Sequence, residues 1–310
     1  MMKGIVIKST GSWYTVRQAD GTSLDCKLKG QFRIWDIKTT SPVAVGDRVI
    51  YEYIPGRKIG WITQILDRDN YIIRKSKKLS KVSHIIASNV DQAFLIATLV
   101  MPRTSTGFID RFLVTAEAYH IPAHIVFNKI DLYDDSLRHE HERLKTIYTK
   151  VGYGVFKVSA LTGEGVVTLT SSLAGQSNLF AGHSGVGKSA LINLIIPGLH
   201  IKTQEISSYH LKGVHTTTFA EMYGLPGGGF IIDTPGIREF GLIDFKKEEV
   251  AERFPEMRAL MDQCQFNNCT HVHEPNCAVI KALERGDIDP GRYRNYLSIL
   301  NDEWEQPDYE

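Results

Sequence analysis

The chain has 310 residues, with 36 basic against 35 acidic side chains and a hydrophobic fraction of 43%. That length allows two or three domains, and the apolar content excludes a chain without a packed core. A net charge of +1 excludes a globally polybasic or polyacidic protein, so a charged partner must be met by a local patch.

The first ten residues, MMKGIVIKST, lack a secretory apolar segment. The longest apolar run, AFLIATLVM at 93–101, is about half a membrane span. These features predict a soluble, cytoplasmic protein that does not enter a membrane. Residues 1–68 read as short alternating runs (GIVIKS, WYTVRQ, SLDCKLK, DRVIYEYI, GWITQIL) separated by Gly11, Gly21, Gly30, Gly46 and Gly56. Alternation with turn signals at this spacing predicts a small all-β barrel or sandwich, and five strands suit a barrel of the oligonucleotide-binding (OB) type. Trp13, Tyr14, Phe32, Trp35, Tyr51, Tyr53 and Trp61 are either its core or a stacking surface for bases. Cys26 reads as a buried strand residue.

Residues 69–88 are a basic connector, because RKSKKLSK at 74–81 carries five Lys or Arg and no acid. A solvated charge run is the plainest reading of it. From 89 to 240 apolar strands alternate with helical runs: QAFLIATLV, the helix DRFLVTAEAYH ending before Pro122, HIVF, an amphipathic helix at 135–150, VFKVSA, and NLFAG. That alternation predicts a doubly wound parallel sheet with its ligand loops at the carboxyl edge. Residues 241–310 are predicted to be helical and polar, with a cysteine cluster.

Residues 182–189, GHSGVGKS, match the phosphate-loop pattern between a predicted strand and a predicted helix. Backbone N–H groups of Gly182, His183, Ser184, Gly185, Val186 and Gly187 are expected to close on phosphate oxygens, with Lys188 at the terminal phosphates and Ser189 on magnesium. The loop alone does not separate ATP from GTP. NKID at 128–131 does, since the Asp131 carboxylate can accept from guanine N1–H and the 2-amino group, a donor pair that adenine lacks. Asn128 fastens that loop, the Lys129 stem lies along the base, and Ser159 and Ala160 of SAL offer backbone N–H groups to the guanine oxygen. DTPG at 233–236 places Asp233 near magnesium through water and the Gly236 N–H near the γ-phosphate. HTTT at 215–218 supplies a magnesium hydroxyl from Thr216 or Thr217.

Base-reading loops thus precede the phosphate loop, and the switch loops follow it, a circular permutation of the usual GTPase order. NKIDL, SALTGEG, AGHSGVGKS, HTTT, IIDTPGIREFGL and CTHVHEPNCAV together resemble the RsgA/YjeQ family of circularly permuted GTPases along nearly the whole chain. The resemblance implies an OB-fold N-terminal domain, a permuted GTPase domain and a C-terminal zinc domain. It further implies a role late in small (30S) ribosomal subunit maturation, contact with the subunit and its rRNA, and stimulation of the GTPase by the subunit. A monomer is expected.

CQFNNCTHVHEPNC brings Cys264, Cys269, His271 and Cys277 within reach of one tetrahedral zinc ion. His273 competes for the fourth position, and the family's ligand pattern favours His271. The residue after Gly236 is Ile237, where Ras-like enzymes carry a water-orienting glutamine. Intrinsic hydrolysis is therefore expected to be slow, with His215 as the candidate that orients water, as the resemblance also implies. GTP-gated RNA binding without useful hydrolysis is the competing reading; an ATPase is the third.

Overall fold

The computed structural model describes residues 2–29, 42–53, 56–75, 83–201, 220–234 and 247–301. His215, Thr216, Thr217, Gly236, Ile237, Phe32, Trp35, most of the basic run and the last nine residues lie outside them.

Five strands open the chain: β1 (Met2–Ser9), β2 (Tyr14–Gln18), β3 (Ser23–Leu28), β4 (Arg48–Tyr53) and β5 (Gly60–Ile65). They follow one another as β1-β2-β3-β5-β4, and β4 returns to pair with β1. Closure removes both free edges, which is how a sheet this small avoids sticking to others. Alternate residues fill the interior: Val6, Val16, Leu24, Cys26, Val49 and Ile62 are buried with Tyr14 and Tyr51 among them. Of the five barrel aromatics among the described residues, Tyr14 and Tyr51 are therefore core. Trp13 (40% exposed) and Tyr53 (46% exposed) face outward, and the Lys27 ammonium lies 4.3 Å over the Trp13 ring. Burial pushes the Cys26 thiol up to about 11, which leaves it inert.

β6 (Tyr71–Lys75) and β7 (Ser83–Ser88) pair antiparallel, and the barrel is fastened to their base. The Arg68 guanidinium donates twice to the buried Asp47 carboxylate at 2.6 Å, and Ser88 Oγ donates to the same carboxylate at 2.6 Å. A charge taken out of water needs this number of partners.

Next come β8 (Gln92–Ala97), α1 (Thr106–Ala118), β9 (Ala123–Phe127), α2 (Asp135–Lys150), β10 (Gly154–Lys157), α3 (Val166–Leu173), β11 (Ser177–Ala181), α4 (Lys188–Ile195), β12 (Glu221–Gly224) and β13 (Phe230–Asp233). The strand order is β10-β9-β8-β11-β13-β12, with every pairing parallel except β12 with β13. Strands buried on both faces read as continuous apolar runs, and β8 shows why. Ala93, Leu95 and Ala97 pack with Ile109, Phe112 and Leu113 of α1 and Leu144 and Tyr148 of α2. Phe94 and Ile96 pack on the other face with Leu169 of α3 and Leu191 and Ile192 of α4.

Both long helices start at side-chain caps. Ser105 accepts from the Phe108 N–H and Asp134 from the Leu137 N–H, so one orphan donor at each N-terminus is satisfied.

The C-terminal part holds α5 (Lys247–Val250), α6 (Pro255–Arg258), α7 (Ala278–Glu284) and α8 (Pro290–Leu300) around Phe254, Met257, Val279 and Tyr296. Val114 of α1 belongs to the same core, so this part is packed onto the sheet layer and not hung from it. Among the described residues no helix is long and apolar enough to cross a membrane.

Candidate functional site

Parallel strands in register end at one edge, and the candidate residues follow those ends. Phe127 pairs with Ala97, Lys157 with Phe127, Ala181 with Leu95 and Asp233 with Phe180. Hence NKID, SAL, the glycine loop and Asp233 all leave the sheet on the same side, whatever their order along the chain.

Asn128 ties three of these loops together. Its buried amide donates from Nδ2 to the Val186 carbonyl at 2.8 Å and accepts at Oδ1 from the Ala160 N–H at 3.0 Å. Val186 lies in the phosphate loop and Ala160 in SAL, so one side chain sets both against NKID. The approach also explains Gly187. Its φ of +88° favours glycine, and a Cβ there would come within 2.4 Å of Asn128 Nδ2. Gly182 is held likewise, because a Cβ would meet the Ile96 carbonyl at 2.5 Å.

Asp131 stands exposed at the loop tip and accepts from Ser159 Oγ at 2.5 Å. The same Ser159 oxygen accepts from the Leu161 and Thr162 N–H groups at 3.2 and 3.0 Å, which fixes the loop that carries Ala160. Lys129 has a left-handed φ of +64°, and its ammonium donates to the Met101 carbonyl at 2.7 Å. Partial burial lowers its pKa, with Asp131 opposing the shift.

In the phosphate loop, α4 begins at Lys188, so its first N–H groups open towards the glycines. Lys188 Nζ is paired with Asp233 Oδ1, both side chains being largely buried (12% and 13% exposed). His183 lies ring to ring with Phe108 of α1, centroids 3.8 Å apart. Ser184 is exposed, and Gly185 packs against Pro102. Ser189 is half-buried on the first turn of α4, and Thr234 donates from Oγ1 to the Phe180 carbonyl at 3.2 Å.

Sequence reading missed the segment from Thr98 to Thr104, which touches NKID through the Met101 carbonyl and the glycine loop through Pro102. A backbone carbonyl carries no residue signature, so only the X-Pro turn signal marked the segment.

The second cluster is separate. One donor atom from each of Cys264, Cys269, His271 and Cys277 lies within 4.8 Å of all the others. His271 Nδ1 is 3.3 Å from Cys277 Sγ and 3.6 Å from Cys264 Sγ, and the two sulfurs are 4.0 Å apart. A tetrahedral zinc with Zn–S bonds of about 2.3 Å needs ligand edges of about 3.7 Å, so the donor set and its spacing suit that ion. His273 is exposed and stands outside the cluster. The ligand loop is shaped by Glu274, which accepts from the Thr270, Val272 and His273 N–H groups. Tyr293 and Tyr296 of α8 donate to the His271 and Thr270 carbonyls.

A family model for the RsgA GTPase matches residues 65–243, and one for the RsgA N-terminal domain matches residues 3–62. The chain is 54% identical to the small ribosomal subunit biogenesis GTPase RsgA of Bacteroides fragilis over 98% of both chains. Among solved structures it is similar to YjeQ from Thermotoga maritima, with a TM-score of 0.79, 36% identity and 97% and 98% of the two chains covered. It is also similar to YloQ, a circularly permuted GTPase, with a TM-score of 0.76, 28% identity and 99% and 97% covered. The permuted strand-end loops, the barrel before them and the matched models agree: the chain belongs to the RsgA GTPase family and hydrolyses GTP.

Proposed function

We propose that this GTPase acts late in maturation of the small ribosomal subunit, binding the subunit and its rRNA with GTP and leaving on hydrolysis. The similarity to small-subunit biogenesis GTPases along nearly the full chain supports this reading. A soluble, cytoplasmic monomer is part of the same proposal. The observation that carries the nucleotide assignment is the Asn128 side chain, which holds the base-reading loops and the phosphate loop in one frame.

In this frame Asp131 accepts from the guanine edge, Lys129 lies along the base, and Ser159 and Ala160 meet the guanine oxygen. The backbone of Gly182 to Gly187 cradles the phosphates. Lys188 and Asp233, paired with one another, would divide their roles: ammonium to the β- and γ-phosphates, carboxylate to a magnesium-bound water. Magnesium prefers hard oxygen ligands, and Ser189 and Asp233 supply them, with Thr216 or Thr217 as the third and the Gly236 N–H facing the γ-phosphate. His215 would orient the attacking water in place of the glutamine that Ile237 replaces. The Cys264, Cys269, His271 and Cys277 set would hold one zinc ion with no open position, a folding staple and not a catalyst.

GTP turnover measured with and without purified small subunits tests the role, with Lys188→Ala as the blank. Strong stimulation is expected; unchanged turnover would favour the GTP-gated RNA-binding reading. Asp131→Asn tests the base assignment. It is expected to weaken GTP binding by 100-fold or more, about 3 kcal/mol, because the amide sets an N–H against one of the two guanine donors and removes the charge that strengthens both hydrogen bonds. Xanthine nucleotide should bind in its place.

A further inference from the structure

β12 and β13 form a hairpin whose outer strand meets the barrel, since Lys8 of β1 is the partner of Glu221 in β12. Across the β12–β13 ladder, Glu221 lies directly opposite Asp233. Directly opposed residues of an antiparallel pair share a face with Cβ atoms about 5 Å apart, so two carboxylates there repel unless each has a cation. Each has one. Lys188 of the phosphate loop pairs with Asp233, and Lys8 of the barrel pairs with Glu221.

The row is tightened by Tyr223, whose hydroxyl donates to Glu221 Oε2 at 2.7 Å. A second barrel residue holds the same hairpin. The Arg17 guanidinium lies 5.5 Å over the Phe230 ring and against Gly224, where a Cβ would come within 2.7 Å of Nη1. The barrel therefore grips both strands of the hairpin that ends in Asp233.

We propose that Glu221 is a positioning residue for the Lys188–Asp233 pair and that Lys8 of the barrel is its counter-charge. The seating of the barrel then sets the field at the nucleotide site. This rests on the reading of Lys188 as phosphate ligand and Asp233 as magnesium carboxylate. With Lys8 in place the two opposed carboxylates are flanked by a cation on each side and the row is neutral. Withdrawing Lys8 leaves Glu221 uncompensated, which holds Lys188 to the carboxylates and repels phosphate oxygens. A polyanion that captured Lys8 on the barrel would thus loosen the nucleotide, and by linkage nucleotide would alter the barrel's hold on that polyanion.

The test is a double-mutant cycle on the full-length chain, reading affinity for a fluorescent GDP at low salt with magnesium. Lys8→Ala should weaken binding about three- to fivefold, the size of one ion-pair coupling, and Lys8→Arg should restore it. Glu221→Gln removes the carboxylate that Lys8 compensates and should tighten binding, and the double variant should bind like Glu221→Gln alone. The Lys8→Ala effect should also shrink at about 1 M salt, where the Debye length is about 3 Å. A Lys8→Ala loss that persists in the Glu221→Gln background, or no loss at all, overturns the proposal. A structural role for Lys8 would lower the melting temperature without this dependence on Glu221. Failure of the wild-type chain to prefer guanine over adenine nucleotide would instead sink the underlying assignment of the site.

Discussion

The C-terminal helical part meets the GTPase sheet layer through charges sealed from water, whereas the barrel meets strand β12 of that layer through charges at the surface. In the first joint Arg292 of α8 is 3% exposed. It donates to Asp110 of α1 at 2.6 Å and to both oxygens of Glu256 in α6 at 2.5 and 3.0 Å. Its guanidinium also lies 5.0 Å over Phe254 and 5.5 Å over Tyr148, and Asn295 donates to the second Asp110 oxygen at 2.5 Å. Burial pushes the Asp110 carboxyl up even against the pull of Arg292 and Asn295, a measure of how dry the joint is. In the second joint the Lys8 and Glu221 side chains are 46% and 23% exposed, and β1 and β12 share a single paired residue. A buried, fully partnered cluster fixes one geometry because every alternative strands a charge. An exposed pair costs little to open and suits a joint that must respond.

The largest expected effect tests what holds the sealed side from within. If Cys264, Cys269, His271 and Cys277 hold the zinc ion proposed for them, a chelator should remove a contribution of order 10 kcal/mol from the cluster. Hydrogen exchange should then show lost protection in α7 and α8 with protection kept in β8 and β11. Unchanged exchange in α7 and α8 would mean that the helices stand without an ion. Next in size is Arg292→Ala, which leaves Asp110 and Glu256 buried without their cation. A loss of about 3–5 kcal/mol in denaturant unfolding is expected. A loss below about 1 kcal/mol would show the joint to be wetter than its geometry implies.

How much of this was legible depended on sequence distance. The barrel strands, α2 and the strand–glycine loop–helix unit were readable because periodicity, turn residues and caps act within a few positions. The parallel sheet followed from strand and helix alternation, and the permuted order from motif succession. The joints were not readable. Asp110 and Arg292 lie 182 residues apart, and Lys8 and Glu221 are an ordinary surface lysine and glutamate until the sheet closes. The pairing of β6 with β7 was hidden as well, because the two strands flank a basic run that reads as surface and carries no glycine or proline. At the site, Asn128 carried a motif signal for base binding but none for its grip on the Val186 carbonyl, which is a backbone group.

The smallest expected effect sharpens the contrast most. Lys8→Ala should lower global stability by less than about 1 kcal/mol, since an exposed ion pair gains little over hydrated ions, and salt should erase even that. The barrel should stay in place, because Asp47 keeps Arg68 and Ser88, and Arg17 keeps Phe230. Denaturant unfolding of Lys8→Ala at low and high salt measures this directly. A salt-insensitive loss near that of Arg292→Ala would mean that both joints are rigid, and the barrel would then have no route by which to act on Asp233. A small, salt-sensitive loss leaves the barrel attached yet free to shift against β12, as a domain must be if it is to pass the state of its partner to the nucleotide.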